Sequence, residues 1–350
     1  MRCRRLPDSG ILDLAKSRRY RARMSRRKIA LILLTAGVAL VPLRSPAPLV
    51  YTPGEGWTYE AVGEVGKWKR QRAKDQLDVA HEAFDQKEYK IALKSATYLV
   101  KTWPLSDYAP EAQYLVGRCQ EALRNDEKAF KAYQKVFENY PKSEKLDDVL
   151  QRQYQIALRF LGGQRFKLWG IIPFFPDMEK TAGLFEQIVK SGPYSKVAPE
   201  AQLSIGSAHE KRREYIEAVA AYERAADRYN DQPAIASEAI YRAGLAYGKQ
   251  ARTAEYDQGT AGQAIATFTD FITLYPDDKR VPEARRFITL LKEEQARGSF
   301  QTATFYAERK KWNGALIYYN EVLLQGPSSQ YAALARERID EIKKRIAGAP

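Results

Sequence analysis

The feature that most constrains this chain is a recurrent stop: an aromatic or small residue followed by proline. The stops are Trp103-Pro104, Tyr140-Pro141, Gly192-Pro193, Tyr275-Pro276 and Gly326-Pro327, with Tyr229-Asn230 as a degenerate sixth. Proline lacks the donor for the next helical hydrogen bond and disfavours the α region in the residue before it, so each pair ends a helix. Twelve residues before the proline, or before Asn230, stand Ala92, Ala129, Thr181, Ala218, Ala264 and Ala315. Eight residues before it stand Ala96, Tyr133, Phe185, Tyr222, Phe268 and Tyr319. A further twelve residues back from the small residue come Ala80, Gly117, Gly206 and Ala303. Small residues on two facing helices let their backbones approach, and a ring one turn further on fills the space beside them.

The offset from Ala92 to Ala129 is 37 residues, and so is that from Thr181 to Ala218. Helix starts repeat too: Pro110-Glu111 and Pro199-Glu200 sit in identical APEAQ segments, and Pro282-Glu283 opens a third. Proline suits the first helical position and a carboxylate the positive end of the dipole. The expected fold is all-α, an α-α superhelix of about six helical hairpins over residues 73–346, built on a period that marks repeat architectures. Apolar residues at 45% supply a core, and 22 tyrosines against 13 phenylalanines suit half-buried interhelical positions.

The formal net charge of +14 first points to nucleic acid or a membrane. Its placement argues against nucleic acid. Residues 1–44 hold twelve Lys/Arg and two Asp, leaving 45 basic and 41 acidic side chains for the rest. The basicity belongs to a leader, residues 1–47. There Arg26, Arg27 and Lys28 precede the apolar run from Ile29 to Val41, the layout of a signal peptide or short anchor, which is below the roughly 20 residues of a spanning helix. A cut after Ala47 meets Pro48, an obstacle to a signal peptidase, and Met24 is a candidate start. Export to the cell envelope is the expectation. Residues 48–72, with four glycines, two prolines and Tyr51, Trp57, Tyr59 and Trp68, read as a tether whose aromatics either dock on the first hairpin or mark a sticky linker.

Catalytic signatures are missing from the sequence. It has two histidines, His81 and His209, each more readily a packing or flank residue, and no HExxH, GxSxG or glycine-rich phosphate loop. Cys3 and Cys119 form no metal-ligand spacing. The expectation is therefore a non-enzyme without cofactor, metal or small-molecule substrate. The third unit is longer by about twelve residues, Arg165 to Pro176, and Gly170, Pro173 and Pro176 make this insertion a loop. Phe166, Leu168, Trp169, Ile171, Ile172, Phe174 and Phe175 make it apolar. Two readings fit: an ordered loop folded onto its own array, or a patch for a protein partner or lipid surface. A shorter, polar insertion near Arg252 to Gly259 reads as a longer turn.

These motifs resemble the tetratricopeptide repeat from about Ala73 to Ile346. Within that superfamily, residues 75–123, the third-unit insertion and the segment from Ala296 to Arg336 are similar to the BamD family of outer-membrane assembly components. In that likeness the last segment is a final hairpin following an extra helix. Members are usually lipoproteins acylated on a cysteine behind the signal, whereas no cysteine follows the apolar run here, so attachment through the leader or through partners is expected. The resemblance implies that first helices line a concave groove, with Gln76, Gln113, Tyr114, Arg118, Asn125, Arg152, Gln153 and Gln202 offering donors to a bound peptide. It also implies that N-terminal units bind unfolded outer-membrane protein segments and C-terminal units dock the barrel-bearing subunit. The alternative is another periplasmic scaffold, such as a Tol–Pal or cell-division coordinator, although the N-terminal coiled coil of the latter is missing.

Overall fold

The computed structural model describes residues 49–52, 56–59, 68–168, 172–173, 176–253 and 258–347. It divides into two compact units, residues 1–67 and 68–350. In the first, β1 (Leu49–Thr52) pairs antiparallel with β2 (Gly56–Tyr59), Leu49 opposite Tyr59. This strand pair lies in the first half of the segment read as a tether. The turn signal Pro53-Gly54 stands between the strands in sequence.

The second unit is an array of helical hairpins. Its helices are α1 (Ala73–Asp85), α2 (Tyr89–Thr102), α3 (Ala109–Ala122), α4 (Asp126–Asn139), α5 (Leu146–Leu161) and α6 (Met178–Ser191). They continue with α7 (Ala198–Arg212), α8 (Tyr215–Arg228), α9 (Pro233–Thr253), α10 (Gln258–Leu274), α11 (Val281–Glu308), α12 (Trp312–Gln325) and α13 (Gln330–Ala347). Six hairpins, α1/α2 to α11/α12, are closed by α13, an all-α tetratricopeptide-like superhelix as the repeat pattern requires. One element differs. The extra helix and the first helix of the last hairpin are a single 28-residue α11, because neither proline nor glycine–proline interrupts Phe287 to Phe300.

The predicted stops end their helices. Trp103, Tyr140, Gly192, Tyr229 and Gly326 cap α2, α4, α6, α8 and α12 in non-helical conformations, and Tyr275 follows α10. After each stop the same turn recurs, with the amide three residues on donating to the stop residue's carbonyl, as in Ser143 to Tyr140 at 3.0 Å and Ser195 to Gly192 at 3.0 Å.

The small-residue seam is equally literal. A Cβ built on Gly117 would overlap the ring of Tyr133, one on Gly206 that of Tyr222, and one on Gly244 would lie 2.8 Å from Phe268. Tyr133 and Tyr222 are fully buried and still satisfied at the hydroxyl, donating to Glu121 at 3.0 Å and Glu210 at 2.6 Å. Each such ring, fully removed from water, contributes about 2–3 kcal/mol.

The turn inside the hairpin follows no sequence signal. Lys87, Arg124, Arg213 and Lys310 sit at φ 64°, 58°, 63° and 58°, in the left-handed region, and Gly163 at 102° takes that place in the third unit. A 6→1 amide-to-carbonyl bond closes each turn, for example Glu214 to His209 at 3.0 Å. Side chains there cost about 1 kcal/mol that glycine would avoid.

Candidate functional site

The face carried by the first helices is where a ligand groove was expected, and the structure sorts its candidates into two groups. The first consists of glutamines. Gln76, Gln113, Gln153 and Gln202 are buried. The amide of Gln113 donates to the Ala132 carbonyl at 2.8 Å and that of Gln202 to Ala221 at 3.1 Å. Gln76 reaches the Ser95 carbonyl at 3.3 Å and the Trp68 carbonyl at 2.8 Å, and Gln153 the Phe130 carbonyl at 3.3 Å. Three of these bonds span 19 residues, one hairpin, so they tie first helix to second helix rather than face a groove. That corrects the groove role of the four glutamines: a buried amide needs a partner, and the facing helix supplies one. Asn125 also serves the scaffold, at the α3–α4 turn, where its side-chain oxygen accepts from Lys167 at 3.3 Å.

The second group converges. Tyr114 on α3 gives its hydroxyl proton to Asp148 on α5 and accepts from Arg152 Nε at 3.0 Å and, more loosely, Arg118 at 3.4 Å. Arg152 also binds Asp148 at 3.0 Å and Glu121 at 3.4 Å. Arg159 extends the row to Glu121 at 3.2 Å and to the buried Asp126 at 2.9 Å. Burial pushes the Asp148 carboxyl upward, but the hydrogen bonds from Tyr114 and Arg152 and their neighbouring positive charge outweigh it and hold it below its usual value. Around the Tyr114 ring stand three cations: Lys145 5.5 Å from its centroid, and Arg118 and Arg152 each 5.9 Å away. Arg118 lies at the same time 5.0 Å over Phe84 of α1. Its guanidinium lies over rings of two hairpins and makes one long hydrogen bond, to the Tyr114 hydroxyl, although it carries five donors. Lys145 is steadied by Glu111 at 3.4 Å, which also meets His81 at 3.7 Å. The sequence missed Glu111, Glu121 and Asp148 as members of this cluster, although Asp148 and Arg152 are spaced i,i+4 on one helix.

The insertion resolves differently from a free patch. Phe166 is buried and stacks on Phe160, with centroids 4.1 Å apart and planes 12° apart, so it belongs to the core of units two to four. This corrects its assignment to a partner or membrane surface. The stem is pinned to the preceding hairpin: the Lys167 amide donates to Glu127 at 2.6 Å and its ammonium to the Arg124 carbonyl at 2.9 Å. Past it, β3 (Lys167–Leu168) pairs antiparallel with β4 (Ile172–Pro173), so the segment expected as plain loop holds a short ribbon. Trp169, Ile171, Phe174 and Phe175, and the side chain of Ile172, lie outside the described residues. So do the leader and residues 254–257 of the fifth-unit turn.

Trp68 belongs to the array. Its ring meets Tyr98 edge-on at 5.7 Å, while Arg70 donates its amide to Gln76 at 2.7 Å, which caps the open end of the first hairpin. Cys119 is fully buried on α3, and burial raises its thiol to about 12, so it stays protonated and inert. His209 bonds Glu214 at 2.9 Å across an α7–α8 turn, a structural contact. Among the described residues no group of three His, Cys, Asp or Glu side chains converges as for a metal, and no helix is long and apolar enough to cross a membrane.

Parts of the chain are similar to known proteins. The family described as outer membrane lipoprotein (YfiO) matches residues 176–326, and the tetratricopeptide repeat matches residues 111–143. The outer membrane protein assembly factor BamD of Caulobacter vibrioides is 24% identical over 157 residues, 45% of this chain. The chain thus matches about half the length of that relative, 51%. Among solved structures, a tetratricopeptide protein of Cytophaga hutchinsonii aligns over 76% of this chain and 88% of its own, at 14% identity and TM-score 0.35. The type IV pilus biogenesis factor PilW aligns over 75% of this chain and 97% of its own, at 15% identity and TM-score 0.27.

Proposed function

We propose that this chain, which resembles tetratricopeptide repeat proteins and the outer-membrane assembly factor BamD, is a non-catalytic scaffold of the cell envelope. It works on the periplasmic side of the outer membrane in the assembly of β-barrel proteins. The face of α1, α3 and α5 takes an extended segment of unfolded substrate, and the C-terminal hairpins hold the barrel-bearing subunit. The observation that carries the substrate half is Arg118. Stacked over Phe84 and Tyr114 with donors left over, it offers a fixed cation to backbone carbonyls and carboxylates, beside apolar ring surface. The similarity of residues 176–326 to outer membrane lipoproteins supports the second half.

The test is binding of a urea-unfolded, fluorescently labelled β-barrel outer-membrane protein to the full chain, read by anisotropy after dilution from urea. Arg118→Gln, which keeps the stem over Phe84 and removes the charge, should weaken binding about tenfold with an unchanged circular dichroism spectrum. Equal binding by wild type and variant would remove this face from the account.

A further inference from the structure

We propose that the exposed face of the second helices in the first two hairpins, α2 and α4, docks on an anionic phospholipid bilayer. It goes beyond the substrate reading of the Arg118 face and does not depend on it.

Charge in one repeat register carries the proposal. On α4, Lys128, Lys131 and Lys135 share a face at i, i+3 and i+7, with Arg124 just ahead of them in the turn. On α2, Lys90, Lys94 and Lys101 are spaced i, i+4 and i+11, with Lys87 ahead of them. Lys87 and Arg124, and likewise Lys94 and Lys131, stand 37 residues apart, at the same repeat position. All of these side chains are exposed, and among the described residues none has an ion pair or a side-chain hydrogen bond. No carboxylate lies on α2. On α4 Asp126 is buried against Arg159 at 2.9 Å, which leaves Glu127 and Glu138 beside the lysines. The positions equivalent to Lys128, Lys131 and Lys135 are Gln263, Ala266 and Asp270 in unit five and Gly314, Ile317 and Glu321 in unit six. The repeat fold does not need cations there, and the first two units have them.

A cavity of about 230 Å³ opens beside this face, between α4 and the stem of the insertion. Arg124, Lys128, Lys131, Arg165 and Lys167 line it against two carboxylates, Asp126 and Glu127. Both carboxylates are engaged within the array, Asp126 by Arg159 and Glu127 by the Lys167 amide at 2.6 Å. The Lys167 ammonium rests on uncharged acceptors, the Arg124 carbonyl and the Asn125 side chain, so its charge is not cancelled. At less than the roughly 300 Å³ of a pocket that buries a whole ligand, the space suits one phosphate headgroup.

Two features favour a bilayer over a soluble acidic polymer. The cations are mostly lysines spread along two helices. A hydrated ammonium on a flexible stem suits a fluid headgroup layer, whereas the planar arginine fork suits fixed bidentate partners. In sequence, Lys167 leads directly into Leu168, Trp169, Ile171 and Ile172, an apolar composition that suits a membrane interface. Each lysine near an anionic surface strengthens attachment about fivefold.

The test uses the full chain and vesicles of three parts phosphatidylcholine to one part phosphatidylglycerol. Because Cys119 is buried, with Cys3→Ser a nitrobenzoxadiazole label goes only to an introduced thiol. Ile91→Cys puts the label among the α2 lysines, and Leu324→Cys, on the exposed side of α12, is the control. The α2 label should brighten and shift to the blue on these vesicles and stay unchanged on pure phosphatidylcholine, while the α12 label responds to neither. Lys128→Gln/Lys131→Gln/Lys135→Gln should raise the half-saturating lipid concentration at least tenfold. Its circular dichroism spectrum should be unchanged, since lysine and glutamine have similar helix propensity. Should that variant lose helicity, Lys94→Gln/Lys101→Gln on α2 is the second probe, expected to weaken binding at least fivefold. Arg165→Gln, at the cavity, should weaken it about threefold. No response of the α2 label, or an undiminished one in the folded glutamine variants, would overturn the proposal and leave any vesicle attachment to the leader. So would an equal response at α12, displacement by millimolar inorganic phosphate at constant ionic strength, or tighter binding of soluble polyglutamate than of vesicles. Arg118→Gln should leave the lipid response unchanged, and the glutamine variants should leave binding of the unfolded barrel protein unchanged, so the two proposals fail separately.

Discussion

Replacing Gly206 by alanine sets two known effects against each other. Alanine in place of a helical glycine gains about 1 kcal/mol from propensity. At Gly206, however, the new Cβ would overlap the ring of Tyr222, with Cζ 2.6 Å away. That ring cannot swing aside: it is fully buried, packed among Leu203, Ala218 and Ala239, and tied to Glu210 at 2.6 Å. Reaching ordinary contact means parting α7 from α8 by about an ångström, and overpacking of this kind costs about 1–3 kcal/mol or more. Gly206→Ala should therefore be destabilising by up to about 2 kcal/mol net. Gly183→Ala is the control, since a Cβ there meets nothing within 4 Å, and it should stabilise by about 1 kcal/mol. Urea unfolding of the full chain, followed by circular dichroism, separates the two by the sign of the midpoint shift. Because repeat arrays can unfold in steps, the transition of the central hairpins is the one to fit. A Gly206→Ala protein as stable as Gly183→Ala would refute the close-packed seam. A cycle with Tyr222→Leu sharpens the test: the leucine should cost less in the Gly206→Ala background than alone.

Three more outcomes follow from the same geometry. Arg213→Gly relieves a left-handed residue on an exposed turn and should raise stability by about 1 kcal/mol, measured by the same unfolding curves. Asp278 is held near pKa 2, chiefly by the hydrogen bond from Arg280 and against the opposing effect of burial, so it stabilises the fold fully above the ordinary carboxylate value near 3.9 and loses that contribution as pH falls through 2. Asp278→Asn should lower stability at neutral pH and flatten the acid limb between about pH 4 and 2, read from thermal midpoints across that range. Burial, reinforced by their glutamate partners, raises the Tyr133 and Tyr222 hydroxyls, so they should stay un-ionised above pH 10 in a spectrophotometric titration until the array unfolds, while exposed tyrosines titrate.

The hairpins were legible because their ends and seams are written in residues with one physical meaning: proline after Tyr140 or Gly326, glycine at 117 and 206, a ring sixteen residues later. Spacing alone could not show that α11 is continuous, since no residue between Phe287 and Phe300 says where one helix would yield to the next. Nor could it separate Gln113 from Arg118. Both lie on α3, and only the rotation of that helix against α4 buries the Gln113 amide while Arg118 stays half-buried. Phe166 was left between two readings for a similar reason: an apolar insertion reads alike whether it faces a partner or the stack on Phe160.

The proposed role is to hold together the machinery that inserts β-barrels into the outer membrane. Its most direct test is affinity purification of the tagged full chain from chemically crosslinked cell envelopes, with the co-purified proteins identified by mass spectrometry. Recovery of the barrel-bearing assembly subunit together with unfolded outer-membrane protein fragments is expected. Recovery of Tol–Pal or peptidoglycan-associated proteins in their place would contradict it.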